Sequence, residues 1–87
     1  METGERSVLE IKRAPDQAAA CIARNIENAR HYQVTARPLD GGLVELIVRS
    51  QVHNLAVVHV GPGRATFWMR SLFMGREDFV RAAVAGC

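Results

Sequence analysis

Three histidines, two cysteines and a scattered set of carboxylates are the residues of this 87-residue chain that could carry chemistry. His31, His53 and His59 fall at no spacing that preforms a metal site, either as i, i+4 neighbours on a helix or beside a cysteine. Cys21 and His31 form the nominal nucleophile–base pair. On a helix their separation in sequence puts them ~15 Å apart along the axis, beyond the hydrogen-bond reach that proton transfer needs. Ser50 and Ser71 lack the flanking glycines of a nucleophile elbow. Gly61-Pro62-Gly63-Arg64 lacks the spacing of a phosphate loop and precedes a strand pattern, so a hairpin turn accounts for it. Gly75 and Arg76 open a helical pattern, but Glu77 and Asp78 already place negative charge where an anion would sit. Glu10 and Glu45 would approach only if their strands were neighbours, and sheet-face cations such as Lys12 or Arg49 are their expected partners. No cofactor and no metal is implied, and a small enzyme is the least favoured reading.

Composition bounds the remaining classes. A chain of this length forms one domain with one modest core. Its 48% hydrophobic and 23% charged residues are those of an ordinary globular protein. A formal net charge of +2, with the basic residues scattered, is weak for a dedicated nucleic-acid binder. Lys12 is the only lysine; the dominance of Arg fits a GC-rich coding bias and points to a bacterial source. The acidic N-terminal residues do not read as a signal peptide, and the apolar run 55–60, interrupted by His59, is too short to cross a bilayer. The expected compartment is the cytoplasm. There Cys21 is expected to act as a small hydrophobe at the edge of a helix and Cys87 as an exposed thiol, without a bridge between them.

The elements that must position these residues follow from periodicity. Residues 1–6 read as a frayed end. Alternation over 7–13, with Leu9 and Ile11 on one side, predicts a strand. Pro15 and Asp16 open a helix over 15–29 whose apolar stripe is Ala18, Ile22, Ile26 and Ala29. Strands are predicted over 32–37, 43–50, 55–60 and 65–72, separated by turns at Asp40-Gly41-Gly42, 51–54 and Gly61-Pro62-Gly63. A second helix over 76–85 carries Phe79, Val80, Ala83 and Val84 on one face. The expected architecture is an α+β two-layer sandwich, β-α-β-β-β-β-α, with a five-stranded, mainly antiparallel sheet and both helices on one face. Each repeat of the TATA-binding-protein fold has the same order of elements, an analogy of fold that carries no function.

The strand pattern leaves the second sheet face with a peculiar composition. If Leu9, Ile11, Val34, Ala36, Val44, Leu46, Val48, Phe67 and Met69 face the helices, then Ile47, Leu55, Val57 and Trp68 form an apolar strip on the far side. Strand 55–60 is apolar on both sides, and His59, as its polar member, turns Leu55 and Val57 outward. Arg37, Arg49 and Arg70 border the strip. Trp and Arg are enriched at interface hot spots, and contiguous apolar patches mark interfaces. The expected function is that of a binding module acting through this face, on a protein partner or a second copy of the chain. Trp68, Arg70, Arg49, Arg37, His59, Ile47 and Val57 are its contact residues. Weak binding of single-stranded nucleic acid on the same face, with Trp68 stacking on bases, is the alternative. It is disfavoured by the low charge, and no membrane partner is expected.

Overall fold

Period-two alternation in five segments and two amphipathic helical stretches produce the expected layers. The computed structural model describes residues 5–30, 32–51, 53–69 and 76–87. In chain order the elements are β1 (Glu5–Glu10), α1 (Pro15–Arg30), β2 (Gln33–Pro38), β3 (Val44–Arg49), β4 (Asn54–Gly61), β5 (Arg64–Met69) and α2 (Arg76–Val84). The strands form one sheet of order β1-β5-β4-β3-β2 in which every neighbouring pair is antiparallel. β2 to β5 are a meander, and β1 pairs with the last of them. The two edge strands are therefore β1 and β2, which α1 connects. Crossing four inter-strand spacings takes ~19 Å, and a 16-residue helix is ~24 Å long, so α1 is long enough to span the sheet.

The core lies between the helices and one sheet face. Ala18, Ala19, Ile22 and Ile26 of α1 and Phe79, Val80 and Ala83 of α2 bury against Leu46, Val48, Ala56, Val58, Val60, Ala65, Phe67 and Met69. β4, the strand of ambiguous parity, turns Ala56, Val58 and Val60 inward, leaving Leu55, Val57 and His59 half-buried on the far side. Two residues expected inside are exposed. Ala36 lies on the edge strand β2, whose other residues are exposed apart from half-buried Val34. Ala29 gives its place in the α1 stripe to Ala19.

Boundaries differ where the edge strand was concerned. β1 begins at Glu5, so Glu5 and Arg6, expected in a frayed end, pair with Met69 and Trp68. It ends at Glu10, because the chain must then turn toward α1; Ile11 leaves the ladder, donates its N–H to the Gly63 carbonyl (3.1 Å) and is still buried. Gly63, with φ 81°, is the second residue of the β4–β5 turn after Pro62, and that turn position requires positive φ. The expected extension of β5 to Leu72 lies outside the described residues.

The cysteine expectation is corrected. Cys21 on α1 and Cys87 form a disulfide with Cα atoms 5.8 Å apart, and Cys87 is buried. Sequence separation of 66 residues hides what the fold brings together: the end of α2 returns to α1. Two further ties hold it there. Asn25 Nδ2 donates to the carbonyls of Ala83 (2.8 Å) and Ala85 (3.0 Å), capping carbonyls that a helix end leaves unpaired. The Cys87 carbonyl accepts the N–H groups of Lys12 (3.1 Å) and Arg13 (3.0 Å). Among the described residues no helix is long and apolar enough to cross a membrane.

A crosslink closing a loop of this length removes unfolded-state entropy worth up to about 4 kcal/mol. Reduction is expected to lower stability by that order in denaturant titrations run with and without a thiol reductant. An unchanged midpoint would mean that the bridge contributes nothing.

Candidate functional site

Strand register arranges the side chains of the helix-free sheet face into rows. One row is Arg6, Trp68, Val57, Ile47 and Thr35, on β1, β5, β4, β3 and β2 in turn. The next row is Val8, Thr66, His59, Glu45 and Arg37. A third begins with Glu10, Arg64 and Gly61. The first row is the apolar strip read from the sequence, now with its order across the sheet. Trp68, Val57 and Ile47 are half-buried register neighbours outside the core. Arg49 is exposed, two residues beyond Ile47 on β3. Arg70 lies outside the described residues.

The second row is a hydrogen-bonded chain. Arg37 Nε donates to Glu45 Oε1 at 2.8 Å, and His59 Nε2 lies 3.0 Å from Glu45 Oε2. The His59 and Trp68 rings meet in a T-shaped arrangement, with centroids 4.9 Å apart and planes at 74°. Glu45 is therefore not paired with Arg49 or Lys12, nor does it approach Glu10, because β5 and β4 separate β1 from β3. With only 14% of its side chain exposed, Glu45 depends on its two partners. The hydrogen bond from His59 is the main cause holding its carboxyl below the ordinary value; partial burial opposes it, and the Arg37 charge reinforces it. Arg37, with 66% of its side chain exposed, uses its Nε on Glu45 and keeps the rest of its guanidinium at the rim of the face.

Two arginines that the sequence reading left out complete the face. Arg6 and Arg64 border an open groove of about 440 Å³ whose lining includes Val8, Thr66, His59 and Trp68. At its far side Leu43 leans over Gly61 so closely that a Cβ there would come within 2.7 Å of Leu43 Cδ2. The absence of a side chain at Gly61 is what lets Leu43 seat there. Arg6 and Arg64 were missed because one was assigned to a fraying end and the other to a turn. Their signal was period two: Arg6 continues the Val8, Glu10 set, and Arg64 continues the Thr66, Trp68 set.

His59 held by a carboxylate has the form of an acid–base group, but no hydrogen bond joins it to Thr66, its neighbour on β5, among the described residues. The face holds charge in place and offers an apolar row and a groove, which suits contact. No family model matches the chain, and comparison with curated proteins and with solved structures found no match.

Glu45 has its carboxyl held lower in the folded state than in the unfolded chain. Its contribution to stability is then present above the unfolded-state value and is lost as pH falls through the folded-state one. The stability advantage of the wild type over Glu45→Gln is expected to shrink as urea titrations move from about pH 6 to about pH 3. A constant difference would contradict the assignment of the lowered carboxyl to Glu45.

Proposed function

We propose that the chain is a small binding module that engages a protein partner through its helix-free sheet face, without catalysis. The row Arg6–Trp68–Val57–Ile47–Thr35 carries this reading: its three large apolar side chains come from adjacent strands and stand in line on the face opposite the core. Trp68 is the anchor, Val57 and Ile47 extend its apolar contact, and the His59 ring braces the indole. Arg49 and the groove arginines supply the polar rim.

Size favours a smaller occupant over a second copy. A face of five strands, four of six residues and one of eight, has a flat area of about 400–500 Å², below the ~800 Å² per partner of a stable interface. That supports a short segment of a partner protein lying on the sheet over a homodimer. Arg37, paired with Glu45, adds little to the nucleic-acid alternative, which would rest on Arg6, Arg64 and Arg49 alone, few charges for backbone binding.

The compartment is proposed from the cysteines. Disulfides persist in oxidising compartments and are rare in the cytosol. The Cys21–Cys87 bridge therefore supports an oxidising compartment in place of the cytoplasmic one expected from the sequence.

Selection from a displayed library of random peptides tests the binding reading. Enriched peptides are expected to bind the wild type and to lose at least about tenfold in affinity on Trp68→Ala, an anchor loss of ~1.4 kcal/mol or more. The variant should keep its fold, unlike Phe67→Ala, which empties a fully buried position at a cost of about 3–5 kcal/mol. Peptides that bind Trp68→Ala as tightly as the wild type would overturn the proposal.

A further inference from the structure

The groove beside Trp68 carries information about what the partner segment must look like. Arg6 stands level with Trp68, and Arg64 lies four residues farther along β5. Along a strand that is ~14 Å, the distance an extended segment covers from residue i to residue i+4. Between the two arginines the floor is Val8 and Thr66, flanked by His59. In an extended segment i, i+2 and i+4 share one face.

Charge on the face points the same way. Arg6 and Arg64 form no ion pair among the described residues. Glu45, the nearest carboxylate on the β3 side, is already occupied by Arg37 and His59 and so does not neutralise the groove. Glu10, the cross-strand neighbour of Arg64, is exposed and forms no ion pair with it. Two guanidinium groups without an ion pair therefore stand at the ends of a floor made by Val8 and Thr66, with the Trp68 indole beside it.

We propose that the groove reads an extended acidic segment of the pattern acidic–x–apolar–x–acidic. The two carboxylates meet Arg6 and Arg64, and the central apolar side chain lies over Val8 and Thr66 against Trp68. Arginine suits this role because its planar fork binds a carboxylate through two parallel hydrogen bonds. The pattern rests on the binding reading of the same face and adds the partner's chemistry to it.

Two synthetic peptides test the pattern: Glu-Thr-Val-Thr-Glu, capped at both ends, and its Gln-Thr-Val-Thr-Gln counterpart. Trp68 fluorescence reads binding to the intact, oxidised protein at low ionic strength. The Glu peptide is expected to bind, the Gln peptide to bind at least about fivefold more weakly, and Arg6→Ala and Arg64→Ala each to cost the Glu peptide about two- to fivefold. Added salt should weaken the Glu peptide selectively. Equal binding of the two peptides, or no binding of the Glu peptide, overturns the pattern, as does tighter binding of an oligothymidylate through the same arginines. The broader reading fails separately. Library peptides that depend on Trp68 but lack acidic residues would leave it standing, whereas the absence of any Trp68-dependent peptide would end both.

Discussion

Alternation of side chains across a single antiparallel sheet is the constraint on which the rest of this structure depends. Because every neighbouring pair is antiparallel and in continuous register apart from one irregularity near Val48 and Arg49, a single parity choice propagates across all five strands. Phe67 inward means Trp68 outward; Val58 inward means Val57 outward. A slip of one residue in any strand would put the fully buried Phe67 or Val58 in water, at ~1.5–3 kcal/mol for each large side chain. The helices enforce the choice by occupying only one side. What the far face displays is therefore a consequence of packing on the near face.

Connectivity converts that alternation into a site. By returning β5 to pair with β1, the chain places Arg6 beside Trp68, and Val8 and Glu10 beside Thr66 and Arg64. By running β2, β3 and β4 as a meander, it lines up Arg37, Glu45 and His59 so that a half-buried carboxylate is satisfied from both sides. The end of α2 is fastened to α1 and to the β1–α1 connection by a disulfide, an asparagine cap and two backbone hydrogen bonds. These ties hold the helical layer that fixes the parity.

Much of this was legible from local pattern, because periodicity and turn chemistry are local properties. The parity of β4 followed from one polar residue, His59, among apolar neighbours. What escaped was non-local. The partners of Glu45 depend on which strands flank β3 and at what register, so an expectation of sheet-face cations named Lys12 and Arg49 and not Arg37 and His59. Arg6 was lost by treating a strand start as a fraying end; its pairing with Trp68 requires knowing that β1 borders β5. The bridge escaped for the same reason, since nothing near Cys21 or Cys87 in sequence shows that α2 ends against α1.

The two faces are assigned opposite roles on the placement of one residue, and Trp68 is the chain's only tryptophan. Acrylamide quenching of its fluorescence, excited selectively above the tyrosine band, measures that placement in the folded, oxidised protein with no second indole competing. Partial quenching is expected, with a constant between those of a fully exposed indole and a core indole. Complete protection in a solution shown by sedimentation to be monomeric would contradict the account, because Trp68 would then belong to the core and the far face would lose its anchor.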